Sequence, residues 1–106
     1  MKTQLTVNRS RMNKEKVESL EQARAQIDVI DEALIALIAA RQFYVDQAVR
    51  FKRTEQDVQS PERADEVVKK VRSAAEAQGV DPDLVEHLYR EMIQHFIRRE
   101  LKEIRP

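Results

Sequence analysis

Two cations, Arg41 and Lys52, stand where a helical hydrophobic pattern would place apolar side chains. The pattern advances by three or four residues, which is the spacing of one face of an α-helix. Its members are Ile27, Ile30, Leu34, Leu37, Arg41, Val45, Ala48 and Lys52. On an unbroken helix the two cations would lie nearly in line, with ~16 Å between their α-carbons. They could hold a small anion with two charged ends, or they could snorkel to an interface edge and pair with carboxylates.

Arg24 is a third cation, and it could reach such a site from a second copy of the chain. It precedes Arg41 by 17 residues, which places it ~100° around the helix from Arg41. It therefore cannot serve the same pocket on its own chain without distortion. In an antiparallel dimer of long helices, however, Arg24 could enter the partner's site. The alternative is a solvated arginine that pairs with Asp28, four residues further on.

Two carboxylates, Glu100 and Glu62, complete the candidate constellation. Glu100 follows Phe96 by one helical turn, so we expect it to face the interior or its rim. A carboxyl group in that position is costly unless it is paired or protonated. Glu100 could instead be a structural partner of Arg24 or Lys52. Glu62 stands at the start of a predicted helix, where it either binds a ligand or interacts favourably with the helix dipole.

A very long first helix is predicted to carry the three cations. Ser19 can cap this helix, with Gln22 completing a capping box, and no helix breaker follows until about Thr54. The helix would span ~34 residues, or ~50 Å, whereas a globule of ~100 residues has a radius of gyration of only ~13 Å. It therefore needs a partner, most simply a second copy of the chain.

Two further helices are predicted beyond a polar connection at residues 54–59. Proline in a first turn and glycine beyond a last turn mark their boundaries. The boundary residues are Ser60, Pro61 and Gly79 for the second helix, and Asp81 and Pro82 for the third. The predicted apolar faces comprise Ala64, Val67, Val68, Val71 and Ala74 in the second helix, and Val85, Leu88, Tyr89, Met92, Phe96, Ile97, Leu101 and Ile104 in the third. The expected fold class is all-α, with three helices.

The bulk composition limits the classes of function. The 106 residues include 19 basic and 19 acidic ones, so the net charge is zero, which disfavours nucleic-acid binding. No cysteine is present, which excludes disulfides and thiolate metal sites and fits a reducing compartment such as the cytoplasm. His87 and His95 lack a metal-binding spacing, and we expect no metal and no cofactor. No apolar run approaches the ~20 residues of a membrane span.

Residues 1–18 are expected to form a flexible basic leader. They have neither helical periodicity nor enough apolar surface to offset the cost of ordering. The leader also lacks the continuous apolar core of a secretory signal. Residues 19–106 are expected to form one domain.

Four segments resemble the all-helical class of chorismate mutases, chorismate mutase type II. They are ARAQIDVIDEALIALIAAR, YVDQAVRFK, SPER and GVDPDLVEHLYREMI, and the resemblance covers residues ~19–103. Its most specific part is an Arg-x-x-Ile-Asp-x-(Ile/Leu)-Asp opening, followed by an arginine 17 residues on and a lysine 11 further. Members of this family are intertwined homodimers with two equivalent sites. The resemblance therefore implies the second copy that the long first helix requires.

The resemblance also implies a role for each of the five charged residues. Arg24 would bind a substrate carboxylate in the partner's site, and Arg41 would bind one in its own chain's site. Lys52 would donate to the ether oxygen between the ring and the enolpyruvyl group, and Glu62 would hold the ring hydroxyl. Glu100 stands where many members have a glutamine that also donates to the ether oxygen, and where some have glutamate. The implied substrate is a small dianion, and Lys52, Glu100 and Arg41 would be catalytic.

The implied reaction is the rearrangement of chorismate to prephenate, a step toward the aromatic amino acids. Pro61 and Phe96 depart from the best-known bacterial mutases, which often have an arginine and a small hydroxyl residue there. The connection RFKRTEQDVQSPER also resembles isochorismate-pyruvate lyases, which yield salicylate and pyruvate, although those carry glutamine at the position of Glu100. We therefore expect a mutase, with the lyase as the alternative. A catalytically silent helical interaction module is a third hypothesis.

Overall fold

The computed structural model describes residues 14–104, and within that range it contains four α-helices and no strand. The helices are α1 (Leu20–Val49), α2 (Glu55–Val58), α3 (Pro61–Gln78) and α4 (Pro82–Ile104). The predicted all-α class with three helices, of which the first is the longest, is confirmed, and α2 is one additional turn within the predicted connection. Most of the predicted leader lies outside the described residues. None of the described helices has the length and apolar character needed to cross a bilayer.

The chain divides into two compact units, one up to Tyr44 and the other from Val45 onward. In the first unit, the start of α1 agrees with the sequence. The Ser19 hydroxyl accepts a hydrogen bond from the N–H of Gln22 at 3.1 Å. The Gln22 side chain accepts at 2.7 Å from the N–H of Glu18, one residue before the expected donor. The cap therefore fixes the first turn as a slightly shifted capping box.

All 30 residues of α1 are described, and none of them is buried. Its exposed large apolar side chains are Leu20, Ile27, Val29, Ile30, Leu34, Ile35, Leu37, Ile38, Phe43 and Tyr44. An apolar surface of this extent on a helix is typical of an interaction surface. The expectation that α1 needs a partner stays a prediction.

The end of α1 differs from the prediction, because the helix stops at Val49 instead of continuing to about Thr54. The N–H groups of Arg50, Phe51 and Lys52 each donate to the carbonyl three residues earlier, a pattern that tightens the end of a helix. Thr54 then caps α2. Threonine and aspartate side chains compete with helical hydrogen bonds in this way. Lys52 therefore lies beyond α1, and the in-line geometry calculated for an unbroken helix does not hold.

The second unit contains a helical hairpin whose boundaries match the sequence. The Ser60 hydroxyl accepts from the N–H of Arg63 at 3.2 Å, and Pro61 begins α3. Gly79 ends α3 in the left-handed conformation with a φ of 76°, which glycine adopts without strain. The Asp81 carboxylate accepts from the N–H of Asp83 at 2.9 Å at the start of α4.

The buried apolar residues of the described chain all lie in this second unit. They are Val58, Val68, Ala75 and Phe96. Val68 and Phe96 belong to the predicted apolar faces, whereas Ala75 and Val58 were not predicted. Leu88, which belongs to the predicted apolar face of the third helix, is 54% exposed in the single chain. The side chain of Ile104 lies outside the described residues.

An ion-pair network joins α3 to α4 on the surface of the hairpin. Arg90 donates to Asp65 at 3.3 Å and to Glu86 at 2.7 Å, and Arg72 donates to Glu86 at 2.7 Å and to Asp83 at 2.9 Å. The hydrogen bond from Arg90 is the main reason that the pKa of Glu86 lies below its usual value. Each exposed pair contributes little alone. Together they fix the register between the two helices.

Candidate active site

Lys52 and Glu100 form an ion pair that contains a buried carboxylate. The Lys52 Nζ atom lies 2.9 Å from Glu100 Oε1, and the two side chains are 27% and 6% exposed. The two residues are 48 positions apart in the chain. Glu100 is also the single buried charged residue among those described. Its interior position agrees with the helical spacing of the sequence.

Glu100 is positioned by the packing of α4. It lies one turn after the buried Phe96, on the same side of the helix. Arg99 holds its guanidinium 5.3 Å from the centre of the Phe96 ring, a cation–π geometry. Arg99 also contacts Asp46, near the end of α1, at 3.5 Å. These contacts fix the turn of α4 from which the Glu100 side chain extends.

Lys52 is positioned by the turn between α1 and α2. Its own N–H donates to the Val49 carbonyl at 3.0 Å. The next two N–H groups, of Arg53 and Thr54, both donate to the Asp57 carboxylate. These backbone hydrogen bonds hold the pKa of Asp57 below its usual value, and the bond from Arg53 has the larger effect. The Thr-x-x-Asp spacing of a capping box was present in the sequence and could have revealed this role for Asp57.

The other three predicted site residues are Glu62, Arg24 and Arg41. Glu62 is exposed in the first turn of α3, and within residues 14–104 it makes no ion pair with Lys52. Arg24 is exposed and Arg41 is partly buried, both on α1 in the first unit. Among the five residues, Lys52 and Glu100 are in direct contact. The functional roles of all five remain predictions.

The Lys52–Glu100 pair can act as a charge-assisted donor site. When both groups are ionised they neutralise one another, and the remaining ammonium protons of Lys52 are available to an acceptor. When Glu100 is protonated, the lysine and the carboxylic acid are both donors. A site of this kind suits an anionic ligand or an oxygen atom on which negative charge develops.

A separate cleft of about 440 Å³ opens beside the start of α3. Ser60, Pro61, Arg90 and Leu101 are among its lining residues, whereas Lys52, Glu62 and Glu100 are not. Leu101 is rotated ~100° from Glu100 around α4, so the two features occupy different faces of that helix. His87 and His95 are exposed, and no group of three potential metal ligands is found among the described residues.

The fold and the paired charges define an all-helical protein with a polar site suited to an anionic small molecule. The chain belongs to the chorismate mutase type II family, which it matches over residues 23–101. It is also 32% identical over 83 residues to the isochorismate pyruvate lyase of Pseudomonas aeruginosa. That match covers 78% of this chain and 82% of the relative. No solved structure matches the chain. Family membership supports an enzyme that acts on a small molecule.

The unequal burial of the ion pair predicts unequal costs of removing each partner. Lys52→Met should lower the free energy of unfolding at neutral pH by about 2 kcal/mol, because it leaves a buried carboxylate uncompensated. Glu100→Gln should cost less than about 1 kcal/mol, because the partly exposed Lys52 can be solvated by water. Urea unfolding of both variants at pH 7 checks the order.

The double variant Lys52→Met/Glu100→Gln provides the control. It removes the buried charge together with its partner, so it should recover part of the stability lost in Lys52→Met. A larger loss for Glu100→Gln at pH 7 would contradict the assignment of Glu100 as the desolvated partner.

Proposed function

We propose that this chain catalyses the rearrangement of chorismate to prephenate. The observation that carries the proposal is the 2.9 Å contact between Lys52 and the buried Glu100, in a chain of the chorismate mutase type II family. The proposal places the ether oxygen of the substrate at this pair. It requires donors at that oxygen, because negative charge grows there as the bond to the ring breaks.

The reaction needs orientation and charge stabilisation from the protein. Chorismate is a dianion that rearranges intramolecularly, so no nucleophile is required. In the proposal Arg41 and the partner's Arg24 each bind a carboxylate, which selects the compact conformer of the substrate. Glu62 holds the ring hydroxyl. Lys52 donates to the ether oxygen from a position that is set before the substrate arrives, which limits reorganisation during the reaction.

Glu100 contributes as a neutral acid in this mechanism. An ionised carboxylate beside the ether oxygen would repel the charge that develops there, and it would hold the Lys52 ammonium for itself. A protonated Glu100 donates a second hydrogen bond to the same oxygen and leaves Lys52 available. The proposed mechanism therefore requires the protonated form of Glu100.

A homodimer is part of the proposal. The apolar side chains that α1 leaves exposed offer a surface that a second copy would cover, and covering it would be favourable at about 25 cal/mol per Å². Arg24 is exposed on the same helix. In an isologous dimer each chain would donate its Arg24 to the other chain's site, so two equivalent sites would form.

Isochorismate-pyruvate lyase activity is the second candidate, and the similarity to the Pseudomonas aeruginosa isochorismate pyruvate lyase favours it. Both reactions break the ether bond to an enolpyruvyl group, so the same pair of donors can serve either. The glutamate at position 100 is the residue that favours the mutase over the lyase.

The experiment that decides between them incubates the purified protein separately with chorismate and with isochorismate. Prephenate from chorismate, with little pyruvate from isochorismate, supports the mutase. Salicylate and pyruvate from isochorismate with the higher kcat/KM would make the protein a lyase. Inactivity toward both substrates would contradict both proposals and favour an interaction module.

The protonation requirement predicts a pH profile that Glu100→Gln flattens. The wild-type kcat/KM should fall up to ~10-fold per pH unit once Glu100 is mostly ionised. The Gln variant should vary less than ~3-fold over the same range, because its amide donates at every pH. Glu103→Gln, an exposed position three residues further along α4, is the matched control and should keep the wild-type profile. A Glu100→Gln profile identical to wild type would exclude the neutral-acid role.

Donation of Arg24 in trans predicts complementation between inactive variants. Arg24→Ala and Lys52→Ala should each be nearly inactive alone. When equal amounts of the two unfolded variants are mixed and refolded together, about a quarter of the wild-type number of sites should be restored. Half of the dimers are then mixed, and each mixed dimer contains one intact site. Arg41→Ala mixed with Lys52→Ala is the control: both residues serve their own chain's site, so no activity should return. Equal recovery in the two mixtures would overturn donation by Arg24.

A further inference from the structure

We propose that Asp57 is a positioning residue for Lys52, because its carboxylate fixes the backbone that follows Lys52 and so holds the lysine against Glu100. The inference concerns the turn between α1 and α2. Its consequence for catalysis rests on the proposed function, whereas its consequence for the Lys52–Glu100 contact does not.

One carboxylate oxygen organises the two residues that follow Lys52. Asp57 Oδ2 accepts from the N–H of Arg53 at 2.9 Å and from the N–H of Thr54 at 3.1 Å. In return the Thr54 hydroxyl accepts from the N–H of Asp57 at 3.1 Å. The Thr54 bonds form a capping box for α2. The bond to Arg53 extends beyond that box, to the residue directly bonded to Lys52.

The segment that carries Lys52 belongs to neither of the neighbouring helices. It lies after the end of α1 at Val49 and before the start of α2 at Glu55. On one side Lys52 is held by the hydrogen bond from its own N–H to the Val49 carbonyl. On the other side the N–H groups of the next two residues depend on Asp57. Without the Asp57 carboxylate, both N–H groups would hydrogen-bond to water instead, and the backbone on that side of Lys52 would be less constrained.

Asp57 also connects Lys52 to the helix that carries Glu100. The next residue, Val58, is only 4% exposed, and α2 packs against α4. The single turn of α2 is thus anchored at its end by a buried valine and joined at its beginning to the Lys52 segment by Asp57. Because Glu100 extends from α4, this connection sets the distance between the ammonium and the carboxylate.

The charge of Asp57 suits this role at neutral pH. Hydrogen bonds from the Arg53 and Thr54 backbone lower the pKa of Asp57, and attraction from Lys52 acts in the same direction. A carboxyl group whose pKa is lowered in the folded state stabilises that state above its usual pKa and loses the effect as the pH falls through the lowered value. The hydrogen bonds to the Asp57 carboxylate therefore persist across the neutral pH range, where the enzyme would operate.

A helix cap with no further role would affect stability but not the chemical step, and kinetics separates the two cases. Asp57→Ala should lower kcat ~10-fold with KM changed less than ~3-fold, because a displaced donor weakens transition-state stabilisation. Asp57→Asn keeps an oxygen acceptor and should retain most of the activity. In a Lys52→Ala background, Asp57→Ala should have no further effect on kcat. Asp81→Ala, which removes a similar carboxylate-to-backbone bond at the start of α4, is the matched control and should leave kcat unchanged.

A double-mutant cycle measured by urea unfolding tests the inference without an activity assay. The cycle comprises Lys52→Met, Glu100→Gln and the double variant, and it should give a coupling factor of ~5 in the unfolding equilibrium constant. When the cycle is repeated in the Asp57→Ala background, the factor should fall to ~1, which means no coupling. A wild-type protein inactive toward both substrates would refute the proposed function and leave this cycle as the test. Undiminished coupling in the Asp57→Ala background, or an unchanged kcat in an active enzyme, would overturn the positioning role.

Discussion

The desolvation of Glu100 is the constraint on which the candidate site depends. A carboxylate that is 5% exposed loses hydration free energy of several kcal/mol, and the attraction of a lysine at 2.9 Å offsets that loss only if the geometry is maintained. Well-packed apolar residues of similar volume would often be at least as stable. The pair therefore contributes little to stability, although it requires a well-defined geometry. This is consistent with a role in binding or chemistry.

The elements around the pair supply that geometry from several directions. The ion-pair network of Arg72, Glu86 and Arg90 fixes α3 against α4, and Arg99 with Asp46 fixes α4 against the end of α1. Each of these contacts is partly exposed and individually weak. Since all of them involve α4, together they restrict the register of that helix, and the direction of the Glu100 side chain follows from that register.

The second unit and α1 differ in how much of their apolar surface is buried. Among its described residues, the second unit encloses four buried apolar residues and a buried carboxylate, whereas no residue of α1 is buried. A helix of ~45 Å with this composition gains hydrophobic stabilisation only when another surface covers it. The proposed dimer would supply that surface, and it would bring Arg24 to a site that its own chain's helix geometry cannot offer it. Folding of α1 and assembly of the site would then be one event.

Local chemistry allowed the sequence by itself to determine most helix boundaries. Ser19, Ser60, Pro61 and Gly79 act through hydrogen bonds and backbone angles within a few residues, so their effects do not depend on distant contacts. The end of α1 was missed because the capping box of Thr54 and Asp57 competes with a helix that no proline or glycine interrupts. Tertiary structure alone decided that Ala75 is buried and Leu88 exposed, and that Lys52 meets Glu100 across 48 residues. Periodicity assigns a residue to a face of its helix, but its neighbours depend on how the helices pack, and that packing is a property of the whole fold.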